Sequence, residues 1–260
     1  MLVKGLDLAH ARVLISNDDG INAPGLKLLE SELIKLVGEV WVVAPETEQS
    51  ATSHSLTLRR PLRIRNVFGH RYAVDGTPTD SILMGINEVM KEIPPDLVIS
   101  GVNKGANVGE DVTYSGTVAA AMEGTLLGVP SIAFSQVYTD DHPVKWATAK
   151  KWLPKVLGMI SAEAWPNEVL INVNFPDIIA ARVSGIEFTR QGRRKIGSDV
   201  VSGMDPRGEP YYWIGAQRRE ERYYPGSDLE AIRRGAISVT PLSMDLTHVP
   251  TLKKMRNRYK

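Results

Sequence analysis

The sequence predicts an α/β protein with a doubly wound, Rossmann-like and mainly parallel sheet. Short apolar runs rich in Val and Ile alternate with helix-length amphipathic segments through the first 176 residues. This alternation is typical of strands that are covered on both faces by crossover helices. Polar loops follow the strand-like runs, and open α/β sheets bind their ligands at the carboxyl ends of such strands.

The elements of this α/β core are predicted in order along the chain. The strand-like runs are residues 13–16, 40–44, 97–100, 131–134 and 169–173. The helical segments are residues 24–37, 79–90, 116–127 and 144–160. Pro24 suits the first turn of a helix, Thr77 stands where an N-cap residue is expected, and Ser115 or Thr117 is expected to cap the helix at 116–127.

The pattern changes after residue 176. Residues 186–214 alternate polar, aromatic and basic side chains with several glycines, which predicts extended hairpins. A short helix at 228–234, a strand at 237–241 and a basic helix at 248–259 follow. Because no linker rich in Pro, Gly or Ser separates the two parts, we expect a single domain over 1–260. Its α/β core covers about 12–176, and a hairpin-rich C-terminal lobe covers about 177–260.

Composition limits the classes of function. The chain has 260 residues and a formal net charge of +1, without the basic excess of nucleic-acid-binding domains. It has no cysteine, which excludes disulfides, thiolate nucleophiles and cysteine-bound metals. No apolar run reaches the ~18 residues of a membrane span, and residues 1–12 lack the apolar core of a signal peptide. We therefore expect a cytoplasmic protein without a membrane partner.

Two adjacent carboxylates, Asp18 and Asp19, end the first predicted strand. Two like charges this close repel, and they are tolerated in water, by sharing a proton or around a cation. Mg²⁺ prefers oxygen ligands, including one or two carboxylates, so the pair suggests a metal site. The sequence Asn-Asp-Asp-Gly is also a good turn, and this motif alone leaves both interpretations open.

Two later loops contain further polar groups. Residues 44–55 contain five hydroxyls, one amide and one imidazole, and a solvated loop is the simpler interpretation of this segment. Residues 100–117 contain four glycines and end in Ser-Gly-Thr at the start of a helix. The amides and dipole of a helix N-terminus favour an anion such as phosphate, although a long surface loop with an ordinary cap is the alternative. The dinucleotide, P-loop and nucleophile-elbow motifs are absent, which makes an oxidoreductase a distant alternative.

Five motifs in order resemble the SurE family of stationary-phase survival proteins. They are Ile-Ser-Asn-Asp-Asp-Gly at 15–20, Val-Ala-Pro at 43–45 with Gln-Ser-Ala at 49–51, Gly-Thr-Pro at 76–78, Ser-Gly-Val-Asn at 100–103 and Tyr-Ser-Gly-Thr at 114–117. The resemblance continues through Phe-Thr-Arg-Gln at 188–191 and Tyr-Tyr-Trp at 211–213. It implies a metal-dependent 5′-nucleotidase that hydrolyses nucleoside 5′- and 3′-monophosphates to nucleoside and phosphate, sometimes with activity on short polyphosphate.

The same resemblance implies the residues of the site. One divalent cation per subunit, Mg²⁺ or Mn²⁺, is expected to be held by Asp18, Asp19, Ser50 and Asn103. The substrate phosphate is expected to bind at Asn107, Ser115, Gly116 and Thr117. Asp18 or Asp19 would be catalytic as a base as well as a metal ligand, and direct attack by an aspartate stays open. The alternative function is a non-catalytic nucleotide-binding or nucleic-acid-binding module.

Two further features have two interpretations each. His54 lies near Ser50 in the sequence and is either the acid that protonates the leaving group or a hydrogen-bonding surface residue. The basic run at 190–195 either contacts nucleic acid or belongs to a hairpin arm that exchanges with a neighbouring subunit. The family resemblance and the near-neutral net charge favour the arm, so nucleic acid is not an expected partner. We therefore expect a homodimer or homotetramer formed through the C-terminal lobe.

Overall fold

A computed structural model describes residues 5–139, 142–194, 200–214 and 224–259. Its strands are β1 (Arg12–Ser16), β2 (Glu39–Pro45), β3 (Ile64–Phe68), β4 (Arg71–Val74), β5 (Leu97–Lys104), β6 (Ser131–Gln136), β7 (Val169–Phe175), β8 (Ile186–Phe188), β9 (Val200–Met204), β10 (Pro210–Ile214) and β11 (Ile237–Ser243). Its α-helices are α1 (Pro24–Leu33), α2 (Pro78–Met84), α3 (Gly116–Leu126), α4 (Trp146–Ala162), α5 (Asp228–Arg233) and α6 (Val249–Arg258).

Within these residues, nine strands form one sheet in the order β3-β4-β2-β1-β5-β6-β7-β11-β8. Every pair from β4 to β7 is parallel. Strand β11 runs antiparallel to β7, and β3 runs antiparallel to β4. The predicted α/β fold with a mainly parallel sheet is confirmed. The sheet does not end at residue 176, because β8 and β11 extend it, whereas β9 and β10 form a separate hairpin.

The apolar core lies on both faces of this sheet. Val13 and Ile15 of β1 pack in the cluster that contains the apolar residues of α1 and α4. Leu14, between them, packs with Ile82 of α2 and Ala120 of α3 in a second cluster. Successive residues of a strand point to opposite faces, so three consecutive apolar residues require helices on both sides. The result is the doubly wound arrangement that the Val- and Ile-rich runs predict.

The local structure differs from the predictions in three places. The helix expected at 24–37 ends at Leu33. Leu36 and Val37 pack on the core from the turns that follow. The helix expected at 79–90 consists of α2 and a π-helical turn, Gly85–Val89. Strands β3 and β4 were not predicted. Most of β3 is exposed, so burial imposes no alternating apolar pattern on it.

The order in which successive strands are added to the sheet changes direction at β1. From β1 the chain adds β2 and then β4 on one side, and it returns to add β5 on the other side. This is a topological switch point, where open α/β sheets have a crevice at the carboxyl ends of the strands. The loops that leave β1 and β5 here contain the paired aspartates and the glycine-rich segment. Among the described residues, no helix has the length and apolar character needed to cross a membrane.

Candidate active site

A cavity of about 510 Å³ lies at this switch point. Its wall includes five of the residues that the sequence analysis selected, namely Asp18, Ser50, Asn103, Asn107 and Ser115. Asp18 and Ser50 lie in the loops that follow β1 and β2, Asn103 lies near the end of β5, and the segment after β5 carries Asn107 and leads to Ser115 at the start of α3. The fold therefore brings together residues that are separated by almost one hundred positions in the sequence.

Asp18 lies beneath the first turn of α3 and is only 5% exposed. The Thr117 hydroxyl donates to Asp18 Oδ1, and the Thr117 backbone N–H also donates to this carboxylate. Burial raises the pKa of Asp18, while these hydrogen bonds act in the opposite direction. Gly116 makes the close approach possible, because a Cβ there would lie 2.8 Å from the Asp18 Cβ. The contacts of Thr117 and Gly116 thus fix Asp18, and direct phosphate binding by these two residues stays a prediction.

Asp19 lies beside Asp18 and faces the loop after β5. Its Oδ2 accepts a hydrogen bond of 3.1 Å from the backbone N–H of Lys104. Burial and then the charge of Asp18 raise the pKa of Asp19 to about 6. Glu48 adds a smaller repulsion to both aspartates. The charge of Lys104 offsets this repulsion only in part. The pair therefore concentrates negative charge, which is the electrostatic requirement of a site for a hard cation.

Ser50 and Asn103 supply neutral oxygens to the same cavity. The Ser50 hydroxyl donates to Glu48 Oε1 at 2.8 Å, and Asn103 Nδ2 donates to the Gly105 carbonyl at 3.1 Å. The Ser50 hydroxyl proton and one Nδ2 proton of Asn103 are thus engaged, and the side-chain oxygen of each residue can serve as a ligand. The described residues contain no cluster of three or more acidic or histidine side chains suited to a metal ion. A cation here would depend on two carboxylates plus these neutral oxygens, a donor set that fits Mg²⁺ or Mn²⁺.

Asn107 is held in place by a buried polar network that the sequence analysis missed. Its backbone N–H donates to Asn174 Oδ1, and its Nδ2 donates to Ser135 Oγ, both at 2.8 Å. Its carbonyl accepts hydrogen bonds from Asn172 at 2.8 Å and from Asn174 at 3.0 Å. These three partners are fully buried. The sequence signal was a pair of asparagines, Asn172 and Asn174, inside an otherwise apolar strand.

His54 does not line the cavity. Its Nε2 lies 2.8 Å from Oε2 of Glu123, a buried residue of α3. This contact ties the loop after β2 to α3 and agrees with the hydrogen-bonding interpretation of His54. Two basic residues do line the cavity, namely Lys104 and Arg194. The sequence analysis assigned Arg194 to an arm or a nucleic-acid contact, and the last residue of that basic run, Lys195, lies outside the described residues.

A polar cavity at the switch point of a doubly wound sheet is typical of α/β proteins that bind a small ligand. The family model "Survival protein SurE" matches residues 13–198 of this chain. The chain belongs to the SurE family.

Relatives with this family name extend over almost the whole chain. The 5′-nucleotidase SurE of Paramagnetospirillum magneticum is 63% identical over 97% of this chain and 97% of its own length. The 5′-nucleotidase SurE of Rhodospirillum rubrum is 52% identical over 97% of this chain and 98% of its own. The crystal structure of the SurE protein from Aquifex aeolicus is 40% identical and superposes with a TM-score of 0.83, covering 96% of this chain and all of that one. The predicted family and fold are confirmed.

Proposed function

We propose that this chain is a metal-dependent 5′-nucleotidase that hydrolyses nucleoside 5′- and 3′-monophosphates to nucleoside and phosphate, with further activity on short polyphosphate. The observation that carries the proposal is that the buried Asp18 lines one cavity with Asn107 and Ser115, with the half-buried Asp19 next to it in the chain. The names of the relatives, 5′-nucleotidase SurE, support the enzyme class and the substrate class.

In this proposal Asp18, Asp19, Ser50 and Asn103 hold one divalent cation. The bound cation supplies positive charge to the phosphoryl oxygens, which lowers the barrier for phosphate-ester hydrolysis. Asp18 is kept in one orientation by Thr117, so its position does not have to be ordered during the reaction. One of the two aspartates accepts the proton of the attacking water.

The other cavity residues orient the substrate. Asn107 enters the site already ordered by its buried hydrogen bonds, which lowers the entropic cost of placing the phosphate. Ser115 caps α3 by accepting a hydrogen bond from Val118 N at 3.0 Å, and its hydroxyl proton is available to a phosphate oxygen. Tyr114 lines the cavity and is 54% exposed, so its ring can stack on a nucleobase.

The first test is phosphate release from a panel of nucleoside 5′- and 3′-monophosphates and short polyphosphate. We expect turnover with Mg²⁺ or Mn²⁺, loss of turnover with a chelator, and recovery when the metal is returned, because the aspartate pair needs a cation. Absence of phosphate release with every metal would overturn the proposal. Nucleotide binding without turnover would then support the alternative, a non-catalytic binding module.

The hairpin β9–β10 supports the proposal of a homodimer or homotetramer. Its strands pair antiparallel and stand apart from the main sheet. Trp213 is 69% exposed and Ile214 is 84% exposed, with Val200, Val201 and Tyr212 also exposed. Contiguous exposed apolar side chains are typical of an interface with another protein chain. A second copy of this chain is the proposed partner.

We expect the double substitution Tyr212→Ser and Trp213→Ser to lower the oligomer order, because it removes the two largest exposed aromatic groups of the hairpin. Light scattering after size-exclusion chromatography measures the mass. The control is Ile34→Ser, which removes an exposed apolar side chain from a different face. An unchanged mass for the double variant would contradict the assignment of this hairpin to the interface.

A further inference from the structure

Arg194 is a cationic side chain that the C-terminal part of the chain places in the wall of the candidate active site. Its side chain is only 20% exposed, and Nη1 donates to Asp111 Oδ2 at 3.2 Å. Its backbone N–H donates to the Glu110 carboxylate. The Nε atom is buried and has no hydrogen-bond partner among the described residues. Buried donors are normally satisfied, so this guanidinium retains capacity for an oxygen ligand.

A second set of contacts fixes the segment that carries Arg194. Asp228, at the start of α5, is fully buried. Its Oδ2 accepts a hydrogen bond from Gly109 N at 2.9 Å, and its Oδ1 accepts one from Gly192 N at 2.8 Å. These bonds join residues 190–194 to the 3₁₀ turn Gly109–Thr113, which lies between the glycine-rich loop and α3. The arginine is therefore built into the cavity wall and does not sample solvent like the side chain of an exposed loop.

The first turn of α3 has little remaining capacity to neutralise a phosphate group. The Thr117 N–H is directed to Asp18, and the Val118 N–H is directed to Ser115 Oγ. A phosphomonoester is a dianion near neutral pH, and it enters a cavity that already contains carboxylates. A fixed cation from the protein is the favourable partner for such a group. A guanidinium presents planar, paired donors that match two phosphate oxygens.

We infer that Arg194 binds the phosphoryl group of the substrate and of the product phosphate, an inference that rests on the proposed function. Lys104 is the other cation of the cavity wall. Its ammonium lies 5.1 Å from the centre of the Tyr138 ring, and the Lys104 residue is exposed. A mobile point charge of this kind attracts anions but does not orient them. Arg194 is the residue that combines charge, burial and fixed geometry.

The test is direct titration of inorganic phosphate into the metal-loaded and metal-free protein, followed by steady-state kinetics. We expect Arg194→Met to weaken the phosphate Kd by about 10- to 100-fold, the range for a lost hydrogen bond to a charged group. The inhibition constant of phosphate should rise by a similar factor. Arg194→Lys should give an intermediate loss, because it keeps a cation beside Asp111 and preserves folding.

Arg193→Met is the matched control. Arg193 is the preceding residue, is exposed, and has its guanidinium 6.0 Å from the centre of the Tyr224 ring. We expect its phosphate Kd to equal that of the unchanged protein. Equal Kd values for Arg194→Met, Arg194→Lys and the unchanged protein would overturn the inference. So would a loss of kcat in the Arg194 variants with unchanged phosphate affinity, since that result indicates an indirect structural role.

The two proposals fail in different ways. If the unchanged protein released no phosphate from any nucleotide, the proposed function would be wrong, but the titration would still measure the contribution of Arg194 to anion binding. If the unchanged protein turned over and the Arg194 variants bound phosphate equally well, the inference about Arg194 alone would be wrong.

Discussion

Asp18→Asn is expected to lower phosphate release by about 10³-fold or more, which corresponds to roughly 4 kcal/mol of lost transition-state stabilisation. The substitution removes one of two carboxylates that the site offers to a cation, and the described residues contain no third acidic or histidine ligand in the same cluster. Asparagine keeps the size of the side chain and an oxygen for the Thr117 hydroxyl. The expected loss of activity therefore results from the missing negative charge and not from a change in the shape of the side chain.

The same substitution is expected to raise the melting temperature of the metal-free protein. Burial raises the pKa of Asp18, which means that the folded state disfavours the ionised carboxylate relative to the unfolded chain. The neighbouring charge also raises the pKa of Asp19. Replacing Asp18 with a neutral amide removes both costs, and a gain on the order of 1 kcal/mol is reasonable for relief of such a pair.

Three measurements separate these effects: turnover, calorimetric titration of Mn²⁺, and thermal unfolding after treatment with a chelator. Asp7→Asn is the control, because Asp7 is an exposed N-cap residue and asparagine is an equally good cap. The control should change none of the three measurements. Near-normal turnover of Asp18→Asn would show that the metal assignment is wrong. A fall in the melting temperature would show that the aspartate pair stabilises the metal-free fold.

A decrease in activity together with an increase in stability is typical of a residue retained for function. Sites that concentrate like charges, or that leave polar groups to be completed by a ligand, cost folding free energy. Arg194 Nε shows the same property, since it is a buried donor without an acceptor among the described residues. A divalent cation and a phosphate group are complementary to these two features, one acidic and one basic.

Local patterns were sufficient to predict the centre of the sheet, and the family resemblance selected five residues of the cavity wall. Residues 13–16 are buried on both faces, so their apolar run is strong, and the following aspartates interrupt it with a clear chemical signal. The contacts of Arg194 depend on a different kind of information. Arg194 contacts Asp111, which lies 83 positions away in the chain. A run of basic residues in the sequence does not indicate which of their side chains points into the protein.

Thr117 is another example of this limit. Its place at the start of a helix favours a nearby anionic group. In the structure the Asp18 carboxylate, 99 positions away in the chain, is one such group, and binding of the substrate phosphate by Thr117 stays a prediction. Helix N-termini favour any negative charge, so the sequence pattern identifies the preference without identifying the partner. Only the packing of α3 against the loop after β1 distinguishes an internal carboxylate from an external ligand.

Gly25→Ala is expected to have the largest effect on stability. Gly25 is the second residue of α1, and a Cβ at this position would lie 1.9 Å from the carbonyl oxygen of Val102 and 3.1 Å from Trp146 Cη2. Because the nearest atom belongs to the backbone of β5, no rotation of a side chain relieves the overlap. Helix α1 must move away from the strand, and overpacking of this severity costs about 3 kcal/mol.

Strand β5, which would lose this contact with α1, also carries Asn103, the residue after Val102, which is expected to hold the metal. Gly25→Ala should therefore weaken Mn²⁺ binding as well as lower the melting temperature, by roughly 2–4 °C for each kcal/mol in a chain of this size. Gly158→Ala is the matched control. Gly158 lies inside α4, and a Cβ there meets no atom within 4 Å.

The control should change stability in the opposite direction, with a gain of roughly 0.5–1 kcal/mol from the better helix propensity of alanine. Metal affinity of the control should not change. Thermal unfolding and calorimetric titration of both variants test the prediction. Equal stability of the two variants would show that α1 and β5 can accommodate an added methyl group at little cost in free energy. A loss of stability in Gly25→Ala and a gain in Gly158→Ala would mean that Gly25 allows α1 to pack directly on the strand that carries Asn103. The packing of the core and the geometry of the site would then depend on the same contact.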